Sequence, residues 1–433
     1  MFETVDTDTQ PLEPYRDLIG DEGIARLEAL AAELRGARIL QLNSTQYGGG
    51  VAELLNSLVP IERGLGLDVT WGTIAADPRF YQLTKRLHNA LQGDPEFHVD
   101  DAELGAYIRH NAMVAAEIRN AYDFIIVHDP QPLPTRALAG ATSAKWIWRI
   151  HIDMSAHNPE AWDLLRPFTG PFDRYVFTMR EFVPSSVDHN RVSLIAPAID
   201  PLSPKNMPLP NELCRRLIEW FGVDADRPLL TQVSRFDRWK DPAGVVDVYR
   251  ELRGKYPDLQ LALLGSMATD DPEGWDVYRD IQASVRGDSE IHVRTNLTGI
   301  GNIEVNAFQR WSDVIIQKSI REGFGLIVSE ALWKGTPVVA GHAGGIPMQV
   351  GDNEGGFLVS DGSDWRRRVD ELLSDREEAK RMGEAGRERV RSQFLVTRLL
   401  EDELDLLAAL HNHHEPRGID PPGDPAAESA SEG

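Results

Sequence analysis

The sequence predicts an α/β protein built from two doubly wound, Rossmann-like domains, and three observations carry that prediction. Short, continuously apolar runs such as RILQLNS (38–44), FIIVH (124–128) and LALLGS (261–266) alternate with longer stretches of helical periodicity. That alternation describes parallel sheets covered by helices on both faces. It is interrupted once, at IAPAIDPLSPKNMPLP (195–210), which reads as an interdomain linker because its five prolines remove backbone donors and block a continuing helix, and it then restarts. Finally, 433 residues of which 42% are hydrophobic exceed one ordinary core and suffice for two.

In the first half, residues 1–35 are acidic and carry Ile24, Leu27, Leu30 and Leu34 at helical spacing, which predicts an N-terminal helix over 24–34. Arg38–Ser44 reads as a buried strand, Gly48-Gly49-Gly50 as a turn, and Val51–Arg63 as a helix. Three glycines there expose N–H groups to an anion. The pattern is neither a Walker loop nor a G-x-G-x-x-G fingerprint, so a plain tight turn explains it about as well. Further strands are expected at 67–74, 124–128, 146–151 and 174–178, with a helix over 102–121. His128-Asp129 and His151 fall at carboxyl ends of such strands, where ligands bind in open α/β sheets. A lone histidine is more often a satisfied structural side chain; placement at a strand's active end, shared with Gly48–Gly50, favours function.

In the second half, strands are expected at 228–234, 259–264, 291–294, 314–318 and 337–340, with helices from Pro242, near 275–285 and over 303–311. Arg235 and Lys240 bracket the turn RFDRWK after the first of these strands. A guanidinium fork and an ammonium converging there suit a diphosphate leaving group; a solvated basic turn is the plainer reading. The densest signal is QKSIREGFGLIVSEALWKGTPVVAGHAGGIP (317–347), a strand, a turn holding Glu322, Gly323 and Gly325, a helix to about Lys334 and a second strand. If Glu322 and Glu330 share the helix, they lie about 12 Å apart along its axis and roughly 80° apart around it. They cannot then serve one atom, but they suit the two ends of a long ligand such as a nucleoside diphosphate sugar. Residues 365–411 read as helical and highly charged, and 415–433, rich in Pro, Gly, Ala, Ser and acid, as a disordered tail.

Composition excludes several functions. A net charge of −23 argues against a nucleic-acid or anionic-membrane surface, and no apolar run reaches membrane-spanning length. One cysteine, Cys214, forbids an intrachain disulfide, and the acidic opening MFETVDTDTQ lacks the marks of a signal peptide, so a cytoplasmic location is expected. His411, His413 and His414 lack a completing ligand, so neither a metal nor a cofactor is predicted.

Glu322–Glu330, with the intervening GFGLIVS, resembles the E-x7-E signature of retaining, GT-B-fold, nucleotide-sugar glycosyltransferases. QYGGGVAELLNSLVP (46–60), HNALQG (88–93), WRIHIDMS (148–155) and QKSIREGFGLIVSEALWKG (317–335) resemble, more closely, trehalose glycosyltransferring synthases; the likeness spans roughly Arg38 to Val359. Two departures from the broad pattern are visible: Met348 stands where many members have Glu, and Gln317-Lys318-Ser319 replaces Pro-Ser. The resemblance implies two domains facing a central cleft, an acceptor-side domain at 1–200, a donor-side domain at 201–393, and a terminal helix over 394–412 crossing back onto the first. It also implies transfer from an NDP-glucose donor to a glucose acceptor with trehalose as product, reversibility being allowed. Glu330 would hold the ribose, and Glu322 with Gly323, Phe324 and Gly325 the donor glucose. Arg235, Lys240, Gly49 and Gly50 would receive the diphosphate, His151 would face the donor sugar and Asp129 the acceptor, with His88 and Asn89 further acceptor candidates. The leaving phosphate would itself take the acceptor proton. Domain closure on binding and metal independence are expected; a homo-oligomer is allowed. Alternatives are a trehalose phosphorylase, a sugar-nucleotide 2-epimerase and a non-catalytic sugar-nucleotide sensor.

Overall fold

The computed structural model describes residues 2–47, 49–118, 120–267, 272–360, 364–412 and 416. The chain divides into two compact units, Met1–Ala198 with Val396–Gly433, and Ile199–Leu395. The expected tail at 415–433 lies, but for residue 416, outside the described residues.

Among the described residues, the first unit forms one seven-stranded sheet from β1 (Phe2–Val5), β2 (Arg38–Asn43), β3 (Asp68–Ile74), β4 (Phe124–His128), β5 (Lys145–Arg149), β6 (Arg174–Phe177) and β7 (Val192–Leu194), in the order β1-β3-β2-β4-β5-β6-β7. Every pairing is parallel except that of β1 with β3. The sequence reading of a parallel sheet therefore needs a correction at one edge. FETV is four residues long with two exposed, so it shows neither a continuous apolar run nor enough alternation to be legible as a strand. The order reverses between β2 and β4, which opens a crevice at their carboxyl ends. Trp71, Trp146, Trp148, Tyr107, Phe172 and Phe177 are fully buried and fill the layers against the sheet. The N-terminal helical region starts before its apolar spacing suggests, and within Arg16–Glu33 the non-helical Gly20, at φ 69° and ψ 176°, kinks the chain between two helical stretches. The helix Val396–Asn412 belongs to this unit and buries Leu399, Leu400, Leu404 and Leu407.

The second unit's strands are β8 (Leu229–Arg235), β9 (Gln260–Ser266), β10 (Ile291–Thr295), β11 (Val314–Gln317), β12 (Val338–Gly341) and β13 (Gly356–Val359), all parallel, in the order β10-β9-β8-β11-β12-β13. Counted within the unit this is 3-2-1-4-5-6, the order of dinucleotide-binding sheets, and its switch point lies between β8 and β11.

The proline-rich stretch is not a free linker. Ile199 donates its N–H to Phe394 O (2.9 Å), Asn306 Nδ2 donates to the carbonyls of Pro204 (3.0 Å) and Met207 (2.9 Å), and Arg310 donates to those of Asn206 and Met207. Proline suppresses helix here, while neighbouring side chains satisfy the freed carbonyls and build 199–207 into the second unit. The charged stretch after 364 is likewise three helices, Asp364–Ser374, Arg376–Gln393 and Val396–Asn412. Asp375 ends the first and caps the second by accepting from Glu378 N.

Candidate active site

At the switch point of the second sheet, β8 leads into a 3-10 turn, Arg238–Lys240, and β11 into the loop 318–325. Ile320 N donates to Trp239 O (2.8 Å) and Gln232 Nε2 to Lys240 O (2.7 Å), so the two loops are tied side by side. That places Lys240 Nζ 2.5 Å from Glu322 Oε2, an oxygen that also accepts from Ser319 Oγ (3.1 Å). Ser319 Oγ accepts in turn from Gln317 Nε2 (3.0 Å), so the Gln-Lys-Ser that departs from the broad pattern helps to orient the first glutamate. Lys318 pairs with Asp241, which stands at φ 43° and caps the helix Pro242–Arg253 by accepting from Gly244 N (3.0 Å). Arg235 ends β8 with a side chain 44% exposed and its Nη2 3.5 Å from Asp237 Oδ2, while the pair that joins the two loops is Lys240 with Glu322.

Glu322 and Glu330 do not share a helix, and the geometry expected of that case does not apply. The helix runs Leu326–Trp333, with Gly325 at φ 85° as its N-cap. A left-handed residue cannot continue a right-handed helix backward, so Glu322 stays in the loop. The GGIP turn backs that loop: Gly345 N donates to Gly323 O (3.0 Å), and a Cβ on Gly344, at φ 52°, would run into Glu322's carbonyl oxygen. Gln349, fully buried, accepts from Ser329 N (2.8 Å) and Ser329 Oγ (2.6 Å) and donates to Phe324 O (2.5 Å), which clamps the loop to the helix.

Glu330 is 0% exposed. Its carboxylate lies 2.9 Å from Lys205 Nζ and accepts from Gln309 Nε2 (3.2 Å), while Lys334 Nζ donates to its backbone carbonyl (3.0 Å) and to Asn206 Oδ1 (2.8 Å). Burial pushes the carboxyl up, but Lys205 and Lys334 outweigh it and hold it below the usual range. Sequence reasoning missed Lys205, Gln309 and Gln349. Lys205 sits in what reads as linker, and the two glutamines carry no pattern.

In the first unit, the register of β4 on β5 pairs His128 with Arg149, which sets the strand ends carrying His128-Asp129 and His151 side by side. His151 N donates to Asp129 Oδ1 (2.8 Å), Asp129 N donates to Arg149 O (2.8 Å), and Trp148 Nε1 donates to Asp129 O (3.0 Å). These three bonds hold Asp129 at φ 62°, a conformation unusual for a residue with a side chain and the kind of strain that collects at functional sites. Burial pushes the Asp129 carboxyl up to about 7, against the lowering effects of the His151 amide and of Arg149. His151 is half-buried, and burial together with Arg149 and His128 holds its ring well below the usual histidine range. Gly49, at φ 83°, is the N-cap of the helix that starts at Gly50; Gly48 lies outside the described residues. His88 and Asn89 are half-buried on the helix Pro78–Leu91, whose end is pinned by Asn158 N donating to Ala90 O (2.9 Å). Among the described residues no group of His, Cys, Asp and Glu is placed to hold a metal ion, and no helix is long and apolar enough to cross a membrane.

Two units, each wound on a sheet that is parallel but for the edge strand β1, have the GT-B fold, and with the family matches that follow they define the class as a GT-B-fold glycosyltransferase. Residues 41–184 match the family described as trehalose synthase, N-terminal domain, and 217–389 match glycosyl transferases group 1. The chain belongs to the trehalose synthase family. It is 48% identical to a trehalose synthase of Rubrobacter xylanophilus over 95% of this chain and 99% of that one. It is 45% identical to one of Thermococcus litoralis, over 92% and 96%. A solved E. coli structure, described as trehalose-6-phosphate bound with UDP-2-fluoro glucose, superposes with a TM-score of 0.69 at 14% identity, covering 88% of this chain and all of that one, a likeness of fold.

Proposed function

We propose that this glycosyltransferase makes trehalose by moving glucose, with retention, from a nucleoside diphosphate glucose to free glucose. The observation that carries the proposal is the pairing of Lys240 with Glu322 at the switch point of a 3-2-1-4-5-6 sheet, in a chain alike over nearly its whole length to trehalose synthases. A cation needed for a diphosphate is held ready by the acid needed for the sugar beside it. On this reading Lys240 and Arg235 meet the diphosphate with the Gly49-Gly50 turn, and Glu322 with the N–H groups of Gly323, Phe324 and Gly325 fixes the donor glucose. Glu330 takes the ribose hydroxyls, sharing its carboxylate with Lys205. His151 faces the donor sugar; Asp129, with His88 and Asn89, binds the acceptor.

No carboxylate is assigned as a nucleophile. The departing phosphate oxygen takes the acceptor proton on the same face of the sugar, and rate comes from positioning and preorganised charge. Incubating the protein with ADP-, UDP- and GDP-glucose plus glucose, and reading products by NMR, tests the proposal. An α,α-linked disaccharide is expected with at least one donor. Glucose 1-phosphate formed from trehalose and inorganic phosphate, with no disaccharide from any nucleotide donor, would overturn it.

A further inference from the structure

His151 is the visible end of a buried polar chain that runs through the first unit to the C-terminal helix. His151 Nε2 lies 2.9 Å from His128 Nδ1, and His128 Nε2 lies 2.8 Å from Gln41 Oε1. Gln41 Nε2 donates to Glu403 Oε1 (2.5 Å) and, more distantly, to Glu62 Oε1 (3.5 Å). The other oxygen of Glu403 accepts from Arg149 Nη1 (2.5 Å). Gln41 and Glu62 are 0% exposed, His128 1%, Arg149 and Glu403 2%.

Donors and acceptors along this chain can be assigned from one end. Glu403, paired with Arg149, is an ionised carboxylate and can only accept, so the Gln41 atom facing it is the NH₂. The Gln41 carbonyl then faces His128, which requires a proton on His128 Nε2. In a neutral ring this leaves Nδ1 of His128 as an acceptor, which requires the proton of His151 to sit on Nε2. The lone pair of His151 is thereby on Nδ1. Burial and the Arg149 charge disfavour a second proton on either ring. Burial and Glu403 also push the Glu62 carboxyl up.

We propose that Glu403, acting with Arg149 through Gln41 and His128, is a positioning residue that fixes His151 as its Nε2–H tautomer, so that Nδ1 is presented as a hydrogen-bond acceptor for a hydroxyl of the donor hexose. The hydroxyl rests on the function proposed above; the tautomer does not. Glu403 touches no reacting atom. Its influence passes along the chain because each member has one polar group of each kind left to offer. Replacing Glu403 by Gln reverses the whole series: Arg149 draws the new amide oxygen, the new NH₂ faces Gln41, and Gln41 turns to present its own NH₂ to His128. His128 then carries its proton on Nδ1, and His151 carries its own on Nδ1, where it can no longer accept.

The test is long-range ¹⁵N–¹H NMR on protein labelled at histidine nitrogens, with His151 assigned by loss of its signals in His151→Gln. The wild type should show His151 with Nε2 protonated and Nδ1 bare. Glu403→Gln should move that proton to Nδ1, and kcat should fall by about tenfold or more while donor KM stays within about threefold. If Glu403→Gln does not fold, Gln41→Leu leaves the Arg149–Glu403 pair in place and removes the relay; His151 should then lose its single tautomer. A wild-type His151 protonated on Nδ1, or a tautomer unchanged in every folded variant, would overturn the proposal. A tautomer that responds as expected in a protein that turns over no nucleotide sugar would leave the relay standing and remove the functional reading instead.

Discussion

At the scale of single residues, the two glutamates of the signature have opposite surroundings, and their substitutions should separate. Glu322 lies in a loop beside Lys240, where positive charge would develop on the sugar, whereas Glu330 is sealed against Lys205 and Gln309. Glu322→Gln should lower kcat by roughly 10²-fold, the order of one lost preorganised electrostatic partner. Glu330→Gln should mainly raise donor KM, because ribose contacts change little on the way to the transition state. It should also destabilise, toward the about 3–5 kcal/mol that follows removal of one member of a buried pair. Steady-state kinetics with melting curves decide this; the reverse kinetic pattern would mean the donor lies the other way round. Asp129 carries a pH signature. Its carboxyl sits at about 7 in the folded protein against the ordinary 3.8 of an aspartate, so the native state holds the extra proton between those values and loses stability as pH rises across them. Asp129→Asn should therefore melt higher than wild type above pH 7, with the gain gone below about pH 4. If the ionised form receives the acceptor, kcat/KM for glucose should climb through pH 7 in the wild type and lose that limb in the variant. A wild-type profile flat from pH 5.5 to 8 would remove Asp129 from that role.

At the scale of elements, the strands and helices that surround the site were legible because buried parallel strands are continuously apolar. The errors fell where that signal is missing. FETV is an edge strand with two exposed residues, and 199–207 has no period of its own because its carbonyls are satisfied by Asn306 and Arg310 from elsewhere in the second unit. The turn that holds Glu322, Gly323 and Gly325 was legible in its glycines, and the left-handed backbone of Gly325 is the physical reason the helix starts only after it. The turn around Gly344 shows how such backbone choices shape the site, since its close approach to Glu322's carbonyl fixes the loop that carries the acid. Gly344→Ala should cost about 1–3 kcal/mol for the strained backbone and displaced carbonyl. It should also reduce kcat, because Glu322 shifts with its loop. Retained activity and an unchanged melting temperature would show that the loop is positioned by Gln349 and Ser319 alone.

At the scale of the whole molecule, composition excluded classes of function but could not say how charge is distributed, and the distribution decides the last question. The chain carries a net −23, yet the switch point of its second sheet holds Lys240 and, as the last residue of β8, Arg235. A sugar nucleotide brings a diphosphate into this acidic protein, and its charge must be met locally, by a divalent ion or by side chains. A cage built wholly of protein needs several oxygen ligands gathered at one place, whereas an ion bridging the donor's own phosphates needs one or two free carboxylates beside them. Among the described residues no such group occurs, and the carboxylate best placed at the switch point, Glu322, is already paired with Lys240. An ammonium held by a carboxylate can be transferred to, or shared with, an incoming phosphate without exposing a bare charge. Turnover should therefore persist in excess EDTA at rates close to those without it, and Lys240→Met, which keeps the stem and removes the charge, should lose far more activity than chelation does. Activity abolished by EDTA and restored by Mg²⁺ or Mn²⁺, with Lys240→Met little affected, would assign the diphosphate charge to a metal and remove Lys240 from the donor site.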